Sequence, residues 1–347
     1  MADGVSPEPT SLILPFNGLD WVKSIGGAAD LHLGTELGEK DKILGKGDGG
    51  FPYNILLLGS MGRSGLTFLA SLFKPQPDVF YVVEPLREFG KRKLLTQKTA
   101  QKSLKDIFTC DIKALTLSSF QRDPTFFIEK VYNNCGHHSS CLTREGIKLR
   151  CILYSIRVVN TIKMRVAWIR PILNNAKVNL KVIHIVRDPR ASLISAWQRG
   201  WNIPADTSCD NMAADLQNAL KLKRLHPKKY LAVRYEDLRD NPWGLAKKIF
   251  AFLGYHHLPP TTIDFLKTTT SNDTDPFGTS RNTGQKTQAW RSVITADQLR
   301  MIETACKPAI NKIGFRLFGN IEDVRNQSVP LYKKRYENTL FVHDDSS

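Results

Sequence analysis

The fold can be worked out from residues 181–195, which are KVIHIVRDPRASLIS. The first six of them, Lys181–Val186, form a short run of apolar and β-branched residues with the length of a buried strand. Pro189 stands where a helix is expected to begin, because its fixed φ suits the first helical position and its missing N–H is not needed there. Residues 181–195 therefore predict a buried strand that turns directly into a helix.

The same alternation of apolar strands and helices continues through most of the chain. Further strands are expected at Asn54–Leu58, Val79–Val83, Ile152–Val159 and Tyr230–Arg234. Further helices are expected at Leu66–Phe73, Val166–Asn174, Asn211–Leu225, Pro242–Leu253 and Ala296–Ile313. Apolar strands that alternate with helices are typical of a parallel sheet covered on both faces. We therefore expect an α/β fold whose central parallel β-sheet is flanked by helices on both faces.

The predicted sheet and helices fall within one domain, over residues 51–320. Residues 1–50 are rich in glycine and predict a poorly ordered N-terminal extension, and residues 321–347 predict a peripheral C-terminal tail. No window of 18 apolar residues occurs, so no transmembrane helix is expected. The N-terminus has no charged region followed by an apolar run, so no signal peptide is expected either.

The charge of the chain indicates an anionic partner. The sequence of 347 residues has 49 basic and 33 acidic side chains, a formal net charge of +16, and 41% hydrophobic residues. That hydrophobic content is sufficient for a folded core. The charge would suit several anionic partners: nucleic acid, phosphorylated nucleotides, acidic polysaccharides or anionic membranes. The alternative is a generally basic protein without a specific anionic partner.

The loop after the first strand is a candidate anion site. Its residues, Gly59 to Phe68, are GSMGRSGLTF. Backbone N–H groups and the positive end of a helix meet at such a junction, and an arginine adds a forked cation. The loop is not a Walker A motif, because no lysine follows Gly65, and no acidic metal site follows a strand. We therefore expect no metal at this loop. The alternative to an anion site is an ordinary glycine turn between strand and helix.

A second candidate anion site follows the strand Lys181–Val186. Arg187 stands at the C-terminal edge of this strand, where open α/β sheets bind ligands. Ser195 lies about two turns into the next helix, so that both residues are expected to meet a second phosphate. A local ion pair that caps the helix is the alternative. It would explain Asp188, but not a second arginine at the edge of the sheet.

Several short motifs occur together in a particular order. They are Arg63-Ser64-Gly65 with Thr67-Phe68, Val83-Glu84-Pro85, Val186–Ala191 with Ser195, Arg234–Leu238, Arg281-Asn282 with Trp290-Arg291, and Cys306 before Pro308-Ala309. Together they resemble the sulfotransferases that use 3′-phosphoadenosine 5′-phosphosulfate (PAPS). The closer resemblance is to the Golgi carbohydrate 6-O-sulfotransferases, which act on galactose, N-acetylgalactosamine or N-acetylglucosamine. It spans roughly residues 52–318. It departs at Leu66, where the family usually has serine, and at the N-terminus, where the family's membrane anchor is absent.

This resemblance implies a function and a set of site residues. The implied fold is the P-loop-like sulfotransferase fold, and the implied reaction moves a sulfuryl group from PAPS to a sugar hydroxyl of a glycan or glycosaminoglycan in the Golgi lumen. The 5′-phosphosulfate would be held by Gly62, Arg63, Ser64, Gly65, Leu66 and Thr67. The 3′-phosphate would be held by Arg187 and Ser195, with Arg281 covering it.

Two residues are expected to be catalytic. Arg63 would meet the charge that develops on the bridging oxygen. Glu84 would be the general base for the hydroxyl, because it follows the second strand beside the phosphate loop. Its alternative is a structural carboxylate paired with an arginine. Glu236 and Asp237 are expected to point to opposite sides of an extended chain, so they cannot act as a catalytic pair. Trp197 and Trp201 are suited to stack on a sugar or on the adenine, or to be buried against the sheet.

Two other functions remain open. One is a metal-dependent P-loop phosphotransferase, which would require a magnesium site. The other is a non-catalytic binder of anionic polysaccharide or nucleic acid, although no recognised motif for nucleic-acid binding occurs.

The six cysteines carry no CxxC pair. Cys135 and Cys141, with His137 and His138 between them, have an uncommon spacing for zinc ligands. The cysteines are therefore either buried thiols or disulfides, and a location in the Golgi lumen favours disulfides. The sequons at Asn272 and Asn326 are weak signals for glycosylation.

Overall fold

Five parallel strands form the centre of this computed structural model, in the order β2-β3-β1-β4-β5. The strands are β1 (Tyr53–Gly59), β2 (Val79–Val83), β3 (Ile156–Thr161), β4 (Asn179–Val186) and β5 (Tyr230–Arg234). Six of the seven residues of β1 are buried, as expected for a central strand that is covered on both faces. Helices lie around this sheet, and the predicted α/β fold with a central parallel sheet is confirmed.

The structure describes residues 53–113, 116–117, 143–271, 288–332 and 340–341. All of them belong to one unit, Gly50–Ser347. Arg281, the sequon at Asn272, and the Cys135–Cys141 segment with its two histidines lie outside the described residues. The extension predicted over residues 1–50 lies outside them as well, and it stays a prediction.

Helices occupy most of the remaining described residues. They are α1 (Leu66–Ser71), α2 (Arg87–Lys91), α3 (Gln97–Phe108), α4 (Arg144–Leu153), α5 (Arg170–Leu173), α6 (Pro189–Trp197), α7 (Ala205–Leu225), α8 (Tyr235–Asp240), α9 (Pro242–Leu253), α10 (Pro260–Ser271), α11 (Trp290–Val293), α12 (Ala296–Ile313) and α13 (Ile321–Arg325). α9 and α12 end where predicted because Gly254 and Gly314 follow them with φ of 97° and 94°. Glycine adopts this left-handed conformation without steric cost, and it commonly ends helices.

Two predicted segments differ in their type of secondary structure, and others differ in their bounds, such as α7, which begins at Ala205 and not at the expected Asn211. The strand expected at Ile152–Val159 begins only at Ile156, because α4 continues to Leu153. The buried residues Ile147 and Cys151 are four apart and form one helical face, whereas Ile152 and Leu153 are exposed. The segment expected to be extended around Glu236 is the helix α8. Short apolar segments do not separate helix from strand by periodicity alone, which is the reason for the first error.

The strand order creates a crevice at the C-terminal edge of the sheet. From β1 the chain crosses to β2 on one side, and from β4 it continues to β5 on the other side. The loops that leave these two neighbouring strands therefore diverge, and such a switch point is where open α/β sheets bind ligands. Gly59 pairs with Ile185, so that both loops begin at the same level.

Two disulfides join helices around this sheet. Cys110, just after α3, is bonded to Cys151 in α4, and Cys209 in α7 is bonded to Cys306 in α12. No free cysteine occurs among the described residues. The expectation of disulfides is confirmed for these two pairs. In the same part of the chain, no helix is both long and apolar enough to cross a membrane.

The Cys209–Cys306 bond is expected to contribute substantially to stability. Its cysteines are 97 residues apart in the sequence, and a cross-link that closes a long loop restricts the unfolded chain. Replacing both cysteines by serine should lower the free energy of unfolding by about 4 kcal/mol. Denaturant unfolding of the variant and of the wild type, without reductant, measures this difference. Equal midpoints and equal slopes for the two proteins would contradict the expectation.

Candidate active site

The loop between β1 and α1 is held close to β4. Ser60 N donates a hydrogen bond to Ile185 O at 3.2 Å, which extends the pairing of the two strands by one residue. Arg63 then adopts a left-handed backbone with φ of 66°. A non-glycine residue in this region costs about 1–3 kcal/mol, and such strain concentrates at functional sites. The strain turns the chain so that the Arg63 carbonyl meets the second loop.

The two predicted anion loops contact each other directly. Arg187 Nη1 donates a hydrogen bond to Arg63 O at 2.8 Å, and Arg63 Nε donates to Ser195 Oγ at 3.1 Å. Each loop thus donates one hydrogen bond to the other, through three residues that the sequence assigned to anion binding. Arg63 and Ser195 are 132 residues apart in the sequence. Arg187 Nε is buried and has no hydrogen-bond partner in the protein, so a donor remains for a ligand.

Tyr235 supports both loops, and the sequence analysis missed this role. The guanidinium carbon of Arg187 lies 4.5 Å from the centroid of the Tyr235 ring, in cation–π contact. The same ring packs against Gly65, where any Cβ atom would collide with it. Gly65 also has φ of 88°, so that both its conformation and its surroundings require glycine. The signal was the Arg234–Leu238 motif, in which only Glu236 and Asp237 had been considered for a role at the site.

The other residues of the first loop differ in exposure. Ser64 is buried, and its hydroxyl has no hydrogen-bond partner in the protein. Thr67 is exposed, whereas Leu66 is buried against Gly59. The leucine side chain therefore packs inside the domain, and only its backbone remains for a ligand. Since α1 has only six residues, the side chains of the loop matter more than the helix dipole.

Glu84 is held in one position at the end of β2. It also has a left-handed backbone, with φ of 45°. Its carboxylate accepts hydrogen bonds from Thr161 Oγ1 at 3.0 Å and from Ile162 N at 2.9 Å. Burial raises the pKa of the Glu84 carboxyl, and these two hydrogen bonds with the nearby Lys163 and Arg87 charges lower it to a smaller extent. Glu84 is therefore fixed by two donors while its affinity for a proton is increased.

Asn160 fixes the backbone on which Glu84 stands. Glu84 N donates to Asn160 O at 2.9 Å, and Asn160 Oδ1 lies 3.3 Å from the same nitrogen. Asn160 Nδ2 in turn donates to the Tyr81 hydroxyl at 2.6 Å. The polar residue near the C-terminal end of β3 is thus explained by its contact with β2. No motif in the sequence indicated this role.

A buried ion network anchors the start of α6 behind Arg187. Asp188 caps the helix by accepting from Arg190 N at 2.9 Å, and it binds the Arg190 guanidinium through both carboxylate oxygens. Arg190 also donates to Glu303 Oε1 at 2.5 Å and contacts the rings of Trp290 and Phe318. The helix-capping interpretation of this loop is correct for Asp188. Because Arg190 already pairs with Asp188, Arg187 remains directed towards the crevice.

Glu236 closes the network from the side of α8. Its Oε1 accepts a hydrogen bond from Asp188 N at 3.0 Å, while its Oε2 is buried and has no partner. Burial, and then the charge of Asp188, raise the pKa of Glu236 to about 7. The Asp237 side chain instead pairs with Arg234 at 2.9 Å. Both carboxylates are therefore structural, as expected, although they lie in a helix and not in an extended segment.

Comparison with known proteins shows which enzymes this chain resembles. A family model described as a sulfotransferase domain matches residues 171–314. Mouse carbohydrate sulfotransferase 3 is 23% identical over 81% of this chain and 72% of its own length. Human carbohydrate sulfotransferase 1 is 24% identical over 82% of this chain and 86% of its own length. Residues 171–314 thus match a sulfotransferase domain, and most of the chain is similar to carbohydrate sulfotransferases.

Solved structures give a weaker likeness. The sulfotransferase domain of an olefin synthase from Synechococcus PCC 7002 covers 75% of this chain and 96% of its own length, at 18% identity and a TM-score of 0.41. The assignment of the fold therefore rests on the strand order and the family match.

Glu236 should make stability depend on pH in a defined direction. Its pKa in the folded protein, about 7, lies above the ordinary value, so that its protonated form stabilises the fold and this contribution is lost as pH rises from about 4.5 to 7. Glu236→Gln keeps the acceptor for Asp188 N and cannot ionise. We expect the variant to be more stable than the wild type at pH 8 and to differ little at pH 5. Denaturant unfolding across this range measures the difference, and parallel curves for the two proteins would contradict the assignment.

Proposed function

We propose that this sulfotransferase moves the sulfuryl group of PAPS to a sugar hydroxyl, at the 6-O position of galactose, N-acetylgalactosamine or N-acetylglucosamine in a glycan or glycosaminoglycan. The contact between Arg187 Nη1 and Arg63 O is the observation that carries this proposal. It joins two loops, each with its own arginine, at the switch point of the sheet. A ligand with two separate anionic groups matches two linked arginines better than a ligand with one.

The residues around this contact suit a nucleotide with two phosphate groups. Arg63, Ser64, Gly65 and Thr67 would hold the 5′-phosphosulfate, and Arg187 with Ser195 would hold the 3′-phosphate. The partnerless Nε of Arg187 and the partnerless hydroxyl of Ser64 support this assignment, since buried donors normally find an acceptor. Arg281 would cover the 3′-phosphate from the C-terminal part of the chain.

Arg63 and Glu84 would carry the chemistry. Sulfuryl transfer moves negative charge onto the bridging oxygen of the donor, and the Arg63 guanidinium would stabilise that charge. Glu84 would accept the proton of the sugar hydroxyl while the oxygen of that hydroxyl attacks the sulfur atom of PAPS. The hydrogen bonds from Thr161 and Ile162 fix the Glu84 carboxylate, and its raised pKa makes it a better proton acceptor.

The acceptor and the location are proposed on separate grounds. The relatives are named carbohydrate sulfotransferases, which supports a sugar acceptor, and the net charge of +16 favours an anionic chain. The disulfides Cys110–Cys151 and Cys209–Cys306 suit an oxidising compartment. We therefore propose the Golgi lumen as the place of action.

Sulfuryl transfer from radiolabelled PAPS to a panel of sugars tests the proposed function. We expect label to appear on chondroitin or on N-acetyllactosamine oligosaccharides, at the 6-hydroxyl. The reaction should continue with a chelator present. Among the described residues, no group of three or more His, Cys, Asp or Glu side chains is arranged to hold a metal ion. Transfer of phosphate from ATP that stops with a chelator would instead favour a phosphotransferase.

Arg187 should determine the preference for a 3′-phosphate. The wild type should bind adenosine 3′,5′-bisphosphate (PAP) more tightly than 5′-AMP, and Arg187→Ala should weaken this preference by about 1.5–3 kcal/mol, the value of a charge-assisted hydrogen bond. Calorimetry with both nucleotides measures it. Arg170→Ala is the matched control, because Arg170 is exposed in α5 before β4, at the opposite edge of the sheet. Equal affinity of the wild type for the two nucleotides would remove the two-phosphate assignment.

Glu84→Gln should lower turnover by about 10²–10⁴, the usual contribution of a general base, and should leave the affinity for PAP nearly unchanged. In the wild type, turnover should rise with pH through the raised pKa of Glu84, because only the ionised carboxylate accepts a proton. Glu88→Gln in α2 is the control. A Glu84→Gln variant with near-normal turnover, or with PAP affinity and melting temperature lowered together, would instead assign Glu84 a structural role.

A further inference from the structure

Two aromatic rings pack against the loop Gly59–Gly65 at different positions. Tyr235 lies against Gly65, on the side of Arg187. Trp201 lies against Gly62, where a Cβ atom would be 3.1 Å from Trp201 Cζ3. The two rings differ in their surroundings, because Tyr235 is partly buried and stacked on Arg187, whereas Trp201 is 44% exposed. Trp201 is therefore a large aromatic surface open to solvent at the edge of the candidate active site.

Contacts place Trp201 on the side of Glu84. Ile162 Cδ1 would lie 3.8 Å from the same Cβ atom at Gly62. Ile162 N donates the hydrogen bond that holds Glu84 Oε1. Trp201 and the residue that orients Glu84 thus share Gly62 as a neighbour. The guanidinium carbon of Arg63 lies 6.0 Å from the Trp201 ring centroid, so the ring borders Arg63 directly and is related to Glu84 through Gly62 and Ile162.

The backbone of Trp201 is fixed although its ring is exposed. Trp201 N donates to Ala196 O at 3.1 Å, and Ile203 N donates to Trp201 O at 2.8 Å. Gly200, with φ of 72°, makes the turn that ends α6 and brings Trp201 back over the loop. Trp197 behaves differently, because it packs on the core and its indole N–H donates to Ile203 O at 2.9 Å. Of these two tryptophans, only Trp201 is exposed.

We propose that Trp201 binds the acceptor by stacking on the apolar face of a sugar ring. This inference rests on the proposed function and names a residue that selects and orients its acceptor. A hexose presents several C–H groups on one face and hydroxyl groups around its edge, so its face packs on an aromatic ring while its hydroxyls remain free for hydrogen bonds. A sugar stacked on Trp201 would have its edge at Gly62 and Ile162. Ile162 in turn holds Glu84 through its backbone N–H. The Trp201 ring would thereby bring the 6-hydroxyl of the sugar towards Glu84, and it would not contact the 3′-phosphate of PAPS.

Two variants at this position separate stacking from simple hydrophobic contact. Trp201→Phe keeps an aromatic face, and Trp201→Leu keeps an apolar side chain without one. We expect Trp201→Leu to raise the KM for the acceptor about tenfold, which corresponds to the loss of one stacking contact, and Trp201→Phe to raise it less. The affinity for PAP, measured by calorimetry, should stay within about twofold of the wild type in both variants. The reason is that the proposal has Trp201 stack on the acceptor and not on the nucleotide.

The acceptors are N-acetyllactosamine and a chondroitin hexasaccharide, each at saturating PAPS. If Trp201→Leu weakens PAP binding in parallel with KM, Trp201 stacks on the adenine and the proposal is wrong. If KM is unchanged in Trp201→Leu, the ring has no ligand role and the proposal is also wrong. Equal melting temperatures of the three proteins establish that the variants are folded. Met301→Ala, at an exposed apolar residue of α12, should alter neither constant.

A binding measurement distinguishes this inference from the proposed function. If the wild type transfers no sulfuryl group to either sugar, the proposed reaction fails. Titration of the two sugars into the PAP-bound wild type and the PAP-bound Trp201→Leu variant then decides the inference alone. Weaker sugar binding by the variant supports the stacking role, and equal binding, or no binding by the wild type, overturns it.

Discussion

The hydrogen bond from Arg187 to the carbonyl of Arg63 is the interaction on which the site depends. It connects the loops that leave β1 and β4, and it can form only because these strands are neighbours with their C-terminal ends level. The left-handed backbone of Arg63 directs its carbonyl group towards Arg187, and the Arg187 guanidinium packs on the Tyr235 ring. The hydrogen bond from Arg63 Nε to Ser195 Oγ joins the same two loops, so that the two arginines hold each other at a fixed distance.

The surrounding network explains why Arg187 remains free to bind a ligand. Asp188 is adjacent in the sequence and would pair with Arg187 if nothing else competed for it. Arg190 instead binds both oxygens of Asp188, donates to Glu303 in α12, and contacts two aromatic rings. Such a buried network is costly to assemble, since each charge must leave water, and it is retained only where its hydrogen bonds are well formed. It positions the start of α6 and leaves the Asp188 carboxylate unavailable to Arg187, whose Nε has no hydrogen-bond partner in the protein.

The sequence predicted those parts of the structure that depend on local patterns. Four of the five strands, the helices α9 and α12, and the position of the two arginine loops after neighbouring strands follow from apolar runs, prolines, glycines and motifs at strand ends. Tyr235 and Asn160 could not be assigned in the same way. Their roles come from partners that are far away in the sequence, such as Gly65 for Tyr235 and Tyr81 for Asn160. The error at residues 152–155 had another cause, because exposed apolar residues at the end of α4 read as part of a strand.

The central claim is that the loops after β1 and β4 form one site for a nucleotide with phosphates at its 5′ and 3′ positions. A crystal structure of the protein with PAP tests it most directly. The account predicts the 5′-phosphate on the backbone and side chains of Gly62–Thr67 and the 3′-phosphate within hydrogen-bond distance of Arg187 and Ser195. A nucleotide bound elsewhere, or one whose 3′-phosphate extends into solvent away from Arg187, would contradict it.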